Sequence, residues 1–167
     1  MRYFEKMSGG AAKPPSPKIK HVLWSWAGAS AAIGSIALIA FAAGHPLLMA
    51  PLGASAVLAF GVPDSPLAQP RNIIGGHIIA ALVGLLFFQF FGGSWWVMGP
   101  AVATAIAVMQ ITGMVHPPAG ANPLIALSTG ASWDYILLPV AVSAVLLTIM
   151  AILVNNLSHT RRYPLYW

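Results

Sequence analysis

Charge is what this chain has least of. Asp, Glu, Lys and Arg together make up 7% of its 167 residues, and only Glu5, Asp64 and Asp134 are acidic. Cysteine is absent, which excludes disulfides, thiol catalysis and thiolate metal sites and leaves the redox compartment unread. The five histidines are scattered, with no pair at helical i, i+4 spacing and few carboxylates to help them, so neither a metal site nor a cofactor is expected. What remains is apolar: 58% of the residues are hydrophobic and the mean hydropathy is +0.79. No aqueous core hides that much apolar surface, so the chain reads as an integral membrane protein in contact with a lipid bilayer.

The few charges are segregated. Arg2, Lys6, Lys13, Lys18 and Lys20 precede the first apolar run, Arg161 and Arg162 follow the last, and Arg71 stands alone between. A net charge of +5 arranged this way reports topology and anionic lipid headgroups, not nucleic acid. Residues 1–20 read as a disordered, basic cytoplasmic tail, because Ser8 to Pro17 carries the Gly, Pro and Ser of an unstructured leader. The run from Val22 to Ala43 is roughly 33 Å long as a helix, too long for the apolar core of a signal peptide, and reads as a retained first span.

The fold class is an all-α polytopic membrane bundle. Three further segments, about Asn72–Phe91, Trp95–Thr112 and Tyr135–Asn155, are long enough to span, which makes four helices with the first. Two stretches are broken: His45 to Phe60 carries Pro46 and Pro51, and Gly113 to Ser132 carries Pro117, Pro118 and Pro123. If both cross, the chain makes six passes and every Lys and Arg falls on one side; if neither does, Arg71 alone lies outside. Either even count puts both termini in the cytoplasm. With six passes, residues 21–92 and 93–156 form halves of the same plan, each with a long helix, a broken segment led by His-Pro and a second long helix. Three passes per half makes those halves inverted, as in many transporters. A competing match, Met49-Ala-Pro51 against Met98-Gly-Pro100, relates segments of parallel direction.

Several motifs stand in a recognisable order: Pro51-Leu-Gly-Ala-Ser-Ala56, Ser65-Pro-Leu-Ala-Gln-Pro-Arg-Asn72 with Gly75-Gly-His77, His116-Pro-Pro-Ala-Gly120, and Tyr163-Pro164 with Trp167. From about residue 20 onward the chain resembles the HPP family of bacterial and plant membrane proteins. The resemblance implies a compact module usually described with four transmembrane helices, which competes with six passes for residues 21–167. Some members are implicated in nitrite transport. The resemblance therefore implies a bacterial inner-membrane transporter or channel-like permease for a small inorganic anion, nitrite foremost.

Irregular backbone at membrane depth marks the candidate site. Pro117, Pro118 and Pro123 stop helix continuation, so a short helix is expected to restart near Pro123 with free N–H groups and about half a positive charge facing inward. Gly120 would let a substrate approach the backbone, and the Asn122 amide would donate to it or cap the helix. His116 has two readings: a donor or proton carrier for an anion, or a neutral ring holding a loop carbonyl. His77 lies beside the close-packing stripe Gly76-x-x-x-Ala80-x-x-x-Gly84 and is expected to point at a neighbouring helix, as a structural or pathway residue. Arg71, with Gln69 and Asn72, would form an electrostatic mouth, or snorkel as a topology anchor paired with Asp64. Ser55 and Thr104 sit where hydroxyls bond their own helix or the substrate.

Gly53-Ala-Ser55 with a distant His116 raises an intramembrane serine hydrolase, but Ala56 stands where that motif continues with Gly, and no enzyme is expected. The rival to a permease is a non-transporting structural or regulatory membrane subunit, which needs small-residue faces but no polar path. A chain this small is also expected to form a homo-oligomer.

Overall fold

Residues 3–7 and 9–167 are described by the computed structural model, all of it helix, turn or extended connection with no strand among those residues. The expected tail contains a short 3-10 turn at Tyr3–Met7, and Arg2 and the Lys6 side chain lie outside the described residues. Six helices follow: α1 (Ile19–Ala43), α2 (Ala50–Gly61), α3 (Pro70–Phe91), α4 (Trp95–Ile111), α5 (Asn122–Thr129) and α6 (Ile136–Asn156). Helices α1, α3 and α6 are long and apolar enough to cross a membrane, whereas α4 has 17 residues, or roughly 26 Å.

The punctuation is chemical. Helix α1 stops where Gly44 takes a left-handed conformation at φ 69° and its N–H returns to the last turn. Helix α3 opens on Pro70, whose missing N–H costs nothing at a first helical position. In α6 the residue before Pro139, Leu138, is extended at φ −127°, ψ 118°, so the helix is kinked near its start.

Polar contacts at one end of the bundle bring chain ends together. His21 Nε2 lies 2.8 Å from the Gly61 carbonyl, and Ser25 Oγ donates to the Phe60 carbonyl at 2.7 Å, so the end of α2 sits beside the start of α1. Arg161, just past α6, donates to the same Phe60 carbonyl at 3.0 Å. Arg71, at the start of α3, donates to the Thr112 carbonyl just past α4. From Gly44 the chain must therefore travel back along α1 to reach His21, a return of roughly 33 Å made as extended chain plus α2. Ser143 on α6 holds that extended part by donating to the Leu47 carbonyl.

The second broken stretch runs the other way. After a 3-10 turn at Pro117–Ala121, α5 lies along α3 so closely that a Cβ on Gly84 would sit 2.6 Å from the Pro123 Cα. Phe88 packs on Gly130 past the end of α5, at the end of the bundle opposite Arg71. One core joins α1, α2 and α6 through Ala32, Ile36, Leu52, Phe60 and Leu147; others join α3, α4 and α5 through Ala80, Ala105, Met109, Ala81 and Ala126. Large apolar side chains also face outward, Phe41 at 87% and Ile111 at 85% exposed, as lipid contact requires.

Candidate functional site

Where the two broken stretches meet α3, four polar side chains are sealed inside the bundle. Ser55 comes from α2, His77 from α3, His116 from the extended residue before Pro117, and Asn122 from the first position of α5; each is fully buried. Ser55 Oγ lies 2.8 Å from Nε2 of both His77 and His116. The two rings stand edge to face with centroids 5.0 Å apart.

With both imidazoles neutral, the partners assign the protons along this chain of hydrogen bonds. His116 Nδ1 faces the Leu67 carbonyl at 2.8 Å, and since a carbonyl only accepts, Nδ1 carries the hydrogen. In a neutral ring Nε2 is then an acceptor, so the Ser55 hydroxyl donates to it. Having used its hydrogen, Ser55 must accept from His77, whose hydrogen is therefore on Nε2. His77 Nδ1 in turn accepts from the Asn122 amide at 3.0 Å, and the same amide nitrogen donates to the His77 carbonyl at 3.0 Å. Exchanging the Asn122 oxygen and nitrogen would set two oxygens against each other, so the orientation follows. The line runs Asn122 to His77 to Ser55 to His116 to Leu67, complete with both imidazoles neutral. Its one orphan is Asn122 Oδ1, a buried acceptor with no partner.

Local sequence makes this possible. The two prolines hold His116 extended at φ −137°, ψ 98°, which turns its ring across to Leu67. Gly76 on α3 clears the space, since a Cβ there would sit 2.7 Å from the His116 Cβ and 3.0 Å from the Met114 carbonyl oxygen. The sequence places Gly76 in a packing stripe and in the Gly75-Gly-His77 motif, and its partner is the broken segment as much as a helix.

Several sequence expectations change at this point. The free N–H groups expected where the helix restarts are not there: the 3-10 turn begins on two prolines, the Ala119 N–H returns to the His116 carbonyl, and the Asn122 N–H returns to Ala119. Helix α5 continues directly from that turn, so Asn122 works through its side chain and does not cap. Pro118 is buried, Pro117 is exposed, and Gly120 borders open space where a Cβ would meet nothing within 4 Å. His45, the counterpart of His116 by backbone plan, is exposed and outside the cluster. The Pro51 carbonyl, 3.1 Å from Ser55 Oγ, is the own-helix acceptor expected for this hydroxyl, but taking it would require giving up the bond to His116 Nε2.

The expected mouth residues serve mainly as braces. Gln69 is buried, donates to the Pro63 and Ser65 carbonyls, and accepts from the Leu165 N–H. Asn72 donates to the Val115 carbonyl and accepts from Tyr166. Arg71 is exposed and donates to the Thr112 carbonyl at 3.0 Å; no ion pair joins it to Asp64 among the described residues. In the C-terminal strap, which the sequence marks by the Tyr163-Pro164 motif, Tyr163 donates to the Ala68 carbonyl at 2.6 Å, one residue from the carbonyl that holds His116. Arg161, read as a topology charge, turns inward to Phe60, Asn155, His21 and Ser25. Burial pushes its guanidinium below the ordinary arginine value, while the Asp64 carboxylate works in the other direction.

Comparison with known proteins agrees with the motif order. A family model described as HPP, transmembrane region, matches residues 14–164. One transmembrane protein of Dictyostelium discoideum is 36% identical over 181 residues, covering all of this chain and 64% of the relative. Another from the same organism is 35% identical over 179 residues, covering all of this chain and 58% of the relative. The chain thus spans about three-fifths of the length of the curated relatives it matches. No solved structure matches it. The Pro51–Ala56, Ser65–His77 and His116–Gly120 motifs converge on one buried cluster and fall within a match covering nearly the whole chain: the chain belongs to the HPP family of transmembrane proteins.

Proposed function

We propose that the protein is a transporter or channel-like permease for a small inorganic anion, with passage controlled where the broken segments meet α3. One observation carries the reading: the sealed Ser55–His77–His116–Asn122 cluster draws its members from both interrupted stretches, where irregular backbone otherwise has no place in lipid. The cluster is polar without fixed charge, so it avoids the cost of a permanently buried Lys or Arg. The Ser55 hydroxyl and the ring N–H groups can rotate or shift to donate to an anion, and His116 can take up a proton with it. Nitrite as the substrate rests on the family resemblance.

The contacts at the bundle ends support six crossings, with residues 44–61 and 112–130 each crossing as extended chain plus a short helix. Lys13, Lys18, Lys20, Arg71, Arg161 and Arg162 then share one face, which we assign to the cytoplasm of a bacterial inner membrane together with both termini. Three packing relations support reading the halves as an inverted repeat, although α5 docks on α3 far more closely than α2 does on α6. Helix α1 packs on α6 as α4 packs on α3, α2 meets α1 as α5 meets α4, and α2 meets the turn before α5. Residues 21–92 and 93–156 are the repeats of this reading, and a homo-oligomer of such small units is its quaternary form.

The protein is not proposed as an enzyme. Ser55 and its two imidazoles have the spacing of a nucleophile and base. Ser55 is sealed, however, and the far nitrogens of the rings meet an amide and a carbonyl instead of a carboxylate.

Proteoliposome flux of nitrite, nitrate and chloride tests the proposal with wild type, His116→Ala and Arg71→Ala. Flux that falls in His116→Ala supports the cluster as the control point. Absence of flux for all three anions with folded protein would favour a structural or regulatory subunit, and flux untouched by either substitution would remove the site assignment. Labelling of Ser55 by a serine-reactive phosphonate would revive hydrolysis.

A further inference from the structure

Three consecutive carbonyls stand in the short 3-10 turn Pro66–Ala68, and each takes a different donor. The middle one, Leu67, accepts from His116 Nδ1 at 2.8 Å and ends the hydrogen-bond line of the cluster. Its two neighbours are both held by the C-terminal strap: Tyr163 donates to Ala68 at 2.6 Å, and Tyr166 donates to Pro66 at 2.9 Å. Between the tyrosines, the Leu165 N–H donates to Gln69 Oε1 at 2.8 Å. Strap and cluster therefore grip the same turn.

Tyr166 also reaches the other arm that holds His116. The Val115 carbonyl only accepts, so the Asn72 amide nitrogen faces it and Asn72 Oδ1 is left to the Tyr166 hydroxyl at 3.0 Å. One O–H, shared by two acceptors, thus ties the residue before Leu67 to the side chain that holds the residue before His116. The two parts of the strap are not equally fixed. Tyr163 is 2% exposed in the core that joins α1, α2 and α6, and its N–H donates to Asn156 Oδ1, whereas Tyr166 and Trp167 are 43% and 72% exposed. Tyr163 is an anchor, and the chain beyond Pro164 can lift at low cost because water replaces its bonds. His77 lies about 10 Å from the Pro70 end of α3 by helical rise, so the turn and the strap stand between the cluster and the basic end.

We propose that residues 163–167 are a lid over the basic end of the path, and that Tyr166 is its latch, a positioning residue that acts on His116 through Leu67 and Val115. What the lid controls rests on the permease reading; whether it opens does not. With the latch closed, both arms hold His116 against Ser55 and the cluster is sealed. With the latch lifted, the turn swings about its remaining ties at Ala68 and Gln69 and draws the Leu67 carbonyl off His116, which frees the Ser55–His116 bond toward the basic end.

The chain has no cysteine, so Ser55→Cys places a single thiol in the cluster. A membrane-impermeant methanethiosulfonate is applied to the full chain in inside-out and right-side-out membrane vesicles, with Tyr166 intact or changed to Phe. Tyr166→Phe should raise labelling from the basic face about fivefold, the worth of one neutral hydrogen bond, and leave labelling from the opposite face unchanged. Tyr166→Ala should raise it at least as much. Labelling unmoved by either change, or raised equally from both faces as general loosening would do, overturns the lid. If Ser55→Cys does not fold, amide exchange in the chain with Ser55 intact reads the same opening. The Ala119 N–H, bonded to the His116 carbonyl, should then exchange about fivefold faster in Tyr166→Phe while the Gly92 N–H at the opposite end keeps its rate, and an unchanged Ala119 rate overturns the proposal. Anion flux in the same vesicles separates the two readings. Raised basic-face labelling in a protein that carries no anion keeps the lid and removes the permease; flux with labelling unmoved keeps the permease and removes the lid.

Discussion

One methyl group on Gly76 tests how the histidine cluster is held. In Gly76→Ala the new Cβ would meet the His116 Cβ at 2.7 Å and the Met114 carbonyl oxygen at 3.0 Å. Carbon atoms settle at about 3.5–4.0 Å, so the broken segment must retreat from α3 by about 1 Å. The Ser55–His116 bond, now 2.8 Å, would stretch to about 3.8 Å, beyond any hydrogen bond. Ser55 can fall back on the Pro51 carbonyl, but His116 Nε2 is left as a buried acceptor without a donor, at about 1–3 kcal/mol. Replacing a helical Gly with Ala returns about 1 kcal/mol of intrinsic propensity, so the net loss is about 0–2 kcal/mol. Gly34→Ala is the control, because Gly34 sits inside α1 with nothing within 4 Å of its Cβ position. That variant should gain up to about 1 kcal/mol. Equilibrium unfolding in mixed micelles gives both signs, and flux at matched protein density should fall by on the order of tenfold or more for Gly76→Ala alone. If Gly76→Ala were as stable as Gly34→Ala and kept its flux, the close approach of His116 to α3 would be wrong.

Three further outcomes follow from the same hydrogen-bond geometry. Ser55→Ala removes the bridge and leaves both a His77 N–H and a His116 nitrogen unpaired, so it should cost about 2 kcal/mol or more by unfolding and abolish control of flux at the cluster. Arg161→Lys keeps the charge but not the planar fork that reaches Phe60, Asn155, His21 and Ser25. It should cost about 1.5–3 kcal/mol and speed amide exchange in residues 60–64, whereas unchanged exchange would show that the fork is dispensable. Tyr163 is outside the spans, and burial raises its hydroxyl above the ordinary tyrosine value. The native state therefore holds this proton more tightly than the unfolded chain, whose tyrosine titrates near about 10. Its contribution is fully present below that pH and is lost as pH climbs toward the raised native value. Tyr163→Phe should be less stable at neutral pH, through loss of the bond to Ala68, and should show a flatter decline in alkali.

What the sequence discloses and what it hides divide along a physical line. Prolines constrain their own backbone covalently, so the interruptions at Pro46–Pro51 and Pro117–Pro123 can be read residue by residue, and the structure has short helices where they end. Side-chain direction is different, because a helix surrounded by lipid is apolar on all sides and loses the alternation that tells inside from outside in water. Nothing in the pattern of α3 points His77 at Ser55 rather than at another helix; that follows from how closely α5 docks on Gly84 and how far Gly76 admits His116. The same gap explains why His45 and His116 look equivalent in sequence while one is exposed and the other buried. An equal backbone plan carries no equal chemistry: α2 brings Ser55 to the cluster and the other broken stretch brings His116. If the halves rock against each other, the bonds to break within the cluster are therefore Ser55–His116 and the Asn122 bonds to His77, all between residues of opposite halves, while His116 can keep its hydrogen on the Leu67 carbonyl only if the 63–69 loop moves with it. That loop is tied through Ala68 and Gln69 to the C-terminal strap, so a motion that opens the cluster and keeps the His116–Leu67 bond must carry the strap along or tear it away.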